Sequence, residues 1–409
     1  MKSKVIVFSL IFFLFCQLVY CFLFPTAGFT DNWLPVSSYL PKFEVGSNDN
    51  FILNKIYPLI PSEYRLNSDV GGYLELARNF SSEYFKGDPY LNRPLYPFLL
   101  LLLSFPIFLF TSPSYGIIFA LAIFLNFAFI VGAVLLFYWL LKKLFSFKVA
   151  YLSSLLLIFS PFIRSSLIQP MPEMLVAFTV VLSAFFIYHY AKNPTTSKLI
   201  IFSLIIGILL LGKMFYAISF FVVLLAIYFR RYKEGIIFFF IHLAPFFLWY
   251  LFVTQVWKIS YFINEVQAWD MGVWMLNIFH WPWYKTAQIV LNSVPDFVEA
   301  LIYSFLLIPI IFSVIGWSKL PFKSKRVFYF GSLFSVFLLC FVINLYLYRH
   351  VFLLFPIIYP TCILGIDRIA NFLKRYKAWY STAFCATMII LMIVISNIDI
   401  YQIFNYLKS

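Results

Sequence analysis

Apolar residues in this chain gather into long runs instead of alternating with polar ones. A run of about 20 apolar residues crosses a ~30 Å hydrocarbon core as one helix. The first run covers 5–24, and ten more follow at 115–141, 149–163, 173–190, 199–212, 214–229, 235–254, 299–317, 327–345, 351–366 and 378–396. The pattern predicts an all-α polytopic membrane protein of about eleven transmembrane helices. Strands of a membrane barrel would alternate in short segments, so a β-barrel is excluded. A polar stretch over 25–93, with the apolar but proline-broken 95–111, makes a first extramembrane loop over 25–114. A second loop covers 255–298, and 1–409 reads as a single membrane-embedded domain carrying both.

Charge decides what the pattern leaves open, because Lys and Arg collect on cytoplasmic loops. If 95–111 does not cross, 18 of the 30 Lys and Arg lie inside, at 2–4, 142–148, 192–198, 230–233, 319–326 and 368–377. Glu234 and Asp367 are then the acidic residues on that side. If it crosses, every later loop flips and 22 of the 30 lie outside. The segment is therefore expected as a juxtamembrane helix in an outer first loop, and 5–24 as an uncleaved first helix with its N-terminus inside. The 31 residues of 199–229 make about 46 Å of helix, too long for one crossing and short for two. They are broken at Gly212-Lys213, which predicts two short helices meeting at an outer turn. Loop 255–298 holds Trp257, Trp269, Trp274, Trp281 and Trp283, half of the ten tryptophans, and is expected along the membrane surface where it would cover a site.

Composition agrees. Hydrophobic residues make up 63% of the chain, charged residues 11%, and the mean hydropathy is +0.92. A soluble domain keeps roughly a quarter of its residues charged. The net charge of +14 is explained by topology and anionic headgroups, and no basic patch outside the loops suggests nucleic acid. Cys16, Cys21, Cys340, Cys362 and Cys385 all lie in apolar runs without metal-ligand spacing. There is no Walker loop, GxGxxG, HExxH or CxxC, and the four histidines form no i, i+4 pair. The expectation is that no cofactor is required and no metal site is present, a divalent ion being unsupported.

Against this apolar background a few polar residues stand out. Asp69 lies in Asn67-Ser68-Asp69-Val70-Gly71-Gly72-Tyr73 ahead of a helical pattern. From the segment alone an N-cap at Ser68 or Asp69 is the commoner use, and a general base is compatible with it. Glu173 follows Pro170-Met171-Pro172 and opens a helix, where the dipole favours an acid. Lys213 inside an apolar run costs ~2.5–3.5 kcal/mol on insertion scales, so it is a functional candidate, with a snorkelling turn residue as the alternative. Arg349-His350 ends a span on the outer side, and Arg164 lies near Glu173 in sequence. Lys213 and Arg349 both suit an oxyanion such as phosphate.

The order of these features resembles the GT-C glycosyltransferases, in the branch of the protein mannosyltransferases and aminoarabinose transferases. The matching stretches are Asp69-Val70-Gly71-Gly72-Tyr73-Leu74-Glu75-Leu76-Ala77, Asn92-Arg93-Pro94-Leu95-Tyr96-Pro97, Leu140-Leu141-Lys142-Lys143, Pro172-Glu173-Met174, Leu211-Gly212-Lys213 and Tyr348-Arg349-His350-Val351, spread over about 60 to 366. The resemblance implies a polyprenyl-phosphate-linked sugar as donor and a lipid, glycan or protein acceptor at the non-cytoplasmic face of the cell membrane. Asp69 would be the base of an inverting transfer. Glu173, Tyr73 and Arg164 would shape the acceptor pocket, and Lys213 and Arg349 would hold the donor phosphate. Many relatives carry a second acid after the first, and Val70 stands there instead. The rival reading is a transporter or flippase. Transporters place charges near the midplane and show repeated halves, whereas here no repeat is found and the charges gather at one face.

Overall fold

A computed structural model describes residues 2–23, 33–35, 65–85, 93–111, 114–213, 230–259, 282–284, 298, 300–302, 304–318 and 351–397. Along the chain run α1 (Lys2–Leu23), β1 (Trp33–Pro35), β2 (Arg65–Asn67), α2 (Ser68–Arg78), α3 (Ser82–Phe85), α4 (Leu95–Phe108), α5 (Tyr115–Leu144), α6 (Phe147–Ile158) and α7 (Pro161–Ser166). They are followed by α8 (Glu173–Lys192), α9 (Thr196–Leu210), α10 (Tyr232–Leu251) with a π turn Phe252–Val256, α11 (Leu307–Trp317), α12 (Phe355–Leu373) and α13 (Ala378–Asn397). Among the described residues the fold is all-α apart from the antiparallel β1–β2 pair, registered Trp33 to Asn67 and Pro35 to Arg65. Seven helical segments among the described residues are long and apolar enough to cross a membrane, and α9 and α11 are shorter apolar helices at two further expected spans. The expected spans 214–229 and 327–345, and most of loop 255–298 with Trp269, Trp274 and Trp281, lie outside the described residues.

The helices run so that one end of the bundle collects basic residues. Lys148 at the start of α6 pairs with Asp367 near the end of α12 at 2.5 Å. Arg368 donates to Ser318 Oγ and the Ile315 carbonyl at the end of α11. Lys143 lies over Trp139, which stacks on His189 near the end of α8. These groups fall where the charge pattern expects one membrane side. The centre is built from α5, α6 and α12, with Phe162, Phe352 and Phe355 stacked between them.

Small residues set the closest helix contacts. A Cβ on Gly316 would overlap the Thr361 carbonyl, and one on Gly365 would overlap the Phe312 carbonyl, so α11 and α12 meet backbone to backbone. Ser313 and Thr361 share a hydrogen bond of 2.5 Å in the same seam. Lipid tails are as apolar as Leu, so close packing and buried hydrogen bonds hold such helices together.

The expected juxtamembrane helix is α4. Its 14 residues reach only about 21 Å, short of the hydrocarbon core. It buries Tyr96, Pro97, Leu100 and Ser104 against α2 and α5 and leaves Phe98, Leu102 and Phe105 exposed. Tyr96 meets Asn126, about 16 Å along α5 from Tyr115. Thus α4 runs back along only the first part of α5. Trp257, the first tryptophan of the second loop, packs on Phe80 and Phe85 of the first loop.

Candidate functional site

Asp69 stands at a strand-to-helix junction. Asn67 ends β2 and Ser68 opens α2, so Asp69 occupies the first helical turn with Asn67 in the position before it. Its side chain lies outside the described residues. Tyr73, one turn on, is buried and accepts a hydrogen bond from Arg93 Nη1 at 3.4 Å. Its ring meets that of Tyr96 edge-on at 5.6 Å. At the far end of α2, Glu75 accepts a hydrogen bond from Tyr115 Oη and another from Asn79 Nδ2 at 3.1 Å, and Arg78 lies over the Tyr115 ring. Together these contacts fasten α2 to the opening turn of α5.

Tyr96 leads inward. Its hydroxyl donates to Asn126 Oδ1 at 2.9 Å, and both residues are fully buried. Asn126 Nδ2 donates to the Gln169 carbonyl at 2.5 Å and the Leu167 carbonyl at 3.4 Å. Both are closed off from bulk solvent, and these bonds are what makes an amide tolerable inside an apolar helix. They also clamp the connector that leads through Pro170-Met171-Pro172 into Glu173. Glu173 and Tyr73 both lie within electrostatic reach of the Tyr96 hydroxyl.

Glu173 is the first residue of α8, as the sequence suggested, and its carboxylate is occupied. Lys213 Nζ donates to Glu173 Oε1 at 2.6 Å, with side chains 4% and 3% exposed. The pair is thus withdrawn from water, and salt screens it little. Local backbone explains how Lys213 gets there. After α9, the amides of Leu211, Gly212 and Lys213 each bond back three residues, tightening the turn. The Leu211 carbonyl accepts from Leu95 N at 3.2 Å, tying this turn to the start of α4. Gly212 lies against the Leu175 side chain, where a Cβ would overlap it. The 15 residues of α9 reach about 22 Å, so the turn is irregular backbone that protein must cover.

The structure therefore joins Glu173 to Lys213 directly, while Tyr73 meets Tyr96, whose neighbour Leu95 bonds the Leu211 carbonyl of the Lys213 turn. Arg164 on α7 is buried with its guanidinium 5.3 Å from the Tyr20 ring of α1, and its carbonyl accepts from Cys21 Sγ. Arg349 lies outside the described residues. Arg93 and Tyr96 lay in a stretch that carries the resemblance but were given no site role from the sequence, and Asn126 was not singled out. The one signal for Asn126 was a lone amide in the apolar run Ile123-Phe124-Leu125-Asn126-Phe127. Among the described residues no group of three or more His, Cys, Asp or Glu fits a metal ion, and Glu173 is held by Lys213.

No protein-family model matches the chain, and no curated protein matches it. Solved structures do. The oligosaccharyltransferase of Archaeoglobus fulgidus, crystallised with zinc and sulfate, is similar over 81% of this chain and 48% of its own, with a TM-score of 0.52 and 14% identity. The same archaeal enzyme with an inhibitory peptide and a dolichol-phosphate gives 0.49 at 15% identity, over 80% of this chain and 52% of its own. Tethered by a disulfide to an acceptor peptide containing the NVT sequon, it gives 0.48 at 16% identity, over 80% and 51%. This chain spans about half the length of the oligosaccharyltransferase. The first likeness shows the fold alone: a polytopic helical bundle like that of the archaeal enzyme over the matched part.

Proposed function

We propose that the chain is a membrane glycosyltransferase that moves a sugar from a polyprenyl-phosphate carrier to a hydroxyl of a lipid, glycan or protein acceptor. Its branch would be that of the mannosyl and aminoarabinose transferases, acting at the outer face of the cell membrane. Asp69 takes the proton of the acceptor hydroxyl as its oxygen attacks the anomeric carbon from the face opposite the carrier. The sugar inverts, and polyprenyl phosphate leaves with the bonding electrons. Lys213 and Arg349 stabilise the phosphate oxyanion. Tyr73, Glu173 and Arg164 shape the pocket on the acceptor side.

The buried Lys213–Glu173 pair carries this reading. Ion pairs enclosed in protein add little net stability over apolar packing, so a charged pair inside this bundle is better explained by a charged ligand. The likeness of fold to the archaeal enzyme and the placement of Asp69 in the first turn of α2 support it. The test is Asp69→Asn in a deletion strain whose lipid-linked and surface glycans are followed by mass spectrometry. Transfer should fall at least ~100-fold, the usual scale for losing a general base, with one sugar missing from the glycan. Full activity removes Asp69 from this role, and build-up of an intact carrier-linked intermediate favours flipping instead.

A further inference from the structure

Lys213 already has an anion. Its ammonium donates to Glu173 Oε1 at 2.6 Å, deep in the bundle. We propose that Glu173 is a built-in competitor for the carrier phosphate, yielding Lys213 when the donor binds and reclaiming it when the spent carrier leaves. This deepens the reading above and rests on its assignment of Lys213 to the phosphate. As a unit the pair is neutral, whereas the donor phosphodiester brings one negative charge and the released monoester nearly two. One ammonium carries three N–H donors but a single charge. With little water to screen them, carboxylate and phosphate on that ammonium repel each other. Phosphate therefore binds more weakly than it would to an unpaired lysine. Glu173 is well placed for this role, because Asn126 clamps the connector just before it and Gly212 seats the Lys213 turn against α8. An anchored carboxylate returns to the same position after each turnover.

The experiment measures binding of a long-chain polyprenyl monophosphate to the full-length protein in phosphatidylcholine nanodiscs, with the neutral polyprenol as control. Glu173→Gln keeps the shape and an oxygen acceptor while removing the charge. It should bind the monophosphate on the order of tenfold more tightly, the size of one charge-assisted contact, with polyprenol binding unchanged. Unchanged or weaker monophosphate binding overturns the proposal. If Glu173→Gln does not yield folded protein, Glu173→Asp reports instead, since its shorter side chain loosens the pair. It should tighten monophosphate binding about two- to threefold, and no gain overturns the idea. Lys213→Met tests the underlying assignment separately. Loss of the preference for monophosphate over polyprenol supports it, and wild-type preference removes Lys213 as the phosphate ligand whatever Glu173 does.

Discussion

At the scale of single residues, Asn126 shows how a polar group is tolerated in this bundle. It bonds Tyr96 on one side and the Gln169 and Leu167 carbonyls on the other, all away from water. Asn126→Leu removes all of these bonds at once, and losing a buried partner costs ~1–3 kcal/mol per group. The variant should melt well below wild type in detergent, while Tyr96→Phe, which loses one bond, should cost about 1 kcal/mol. Equal melting curves for Asn126→Leu and wild type would show that the clamp does not hold the connector. Lys213 is conspicuous in the sequence as a charge in an apolar run and Glu173 as an acid opening a helix, whereas Asp69 is one carboxylate ahead of a helical pattern in the polar first loop. The bonds that join Tyr96 to Asn126 and Asn126 to the connector are not legible there, because those partners lie 30 and 43 residues apart and no local pattern announces them.

Elements were read more fully than residues. Run lengths located α1, α5, α8, α9, α10, α12 and α13, and the stretch that the charge count expects not to cross forms α4, a helix of 14 residues. Interruptions were harder. The 149–163 run breaks at Ser160-Pro161, where proline opens α7, while the 299–317 run breaks at Leu306, held at φ 64° and ψ 158°. Every neighbour of Leu306 up to Pro309 is apolar, so periodicity carries no sign of that break. The seam of α11 with α12 was equally silent, because close approach shows only when two distant glycines face each other. Gly365→Val should force these helices apart and lower the melting temperature in detergent more than Gly235→Val, since a Cβ on Gly235 meets nothing within 4 Å. Similar losses for the two would mean that the seam is not tight.

For the whole molecule, the separation of charges gives a test of sidedness. Lys148, Asp367 and Arg368 gather at one end, and Glu173, Lys213 and the Tyr96 clamp lie away from it. With the native cysteines replaced, a cysteine at Glu83 should react with a membrane-impermeant maleimide in intact cells. One at Lys374 should react only after the membrane is opened. Glu83 is exposed and follows α2, whereas Lys374 ends α12 in a basic stretch. The reverse pattern would invert the topology and move the proposed chemistry to the cytoplasm.

The pairing of Lys213 with Glu173 also bears on how the chain is made. Glu173 leaves the ribosome 40 residues before its partner. A lone ammonium handed to the lipid by the insertion machinery is penalised by ~2.5–3.5 kcal/mol. When the nascent segment bearing Lys213 arrives, its counter-charge is already waiting at the head of a finished helix. A counter-charge already placed at the head of α8 would lower the cost of burying Lys213 at the end of α9.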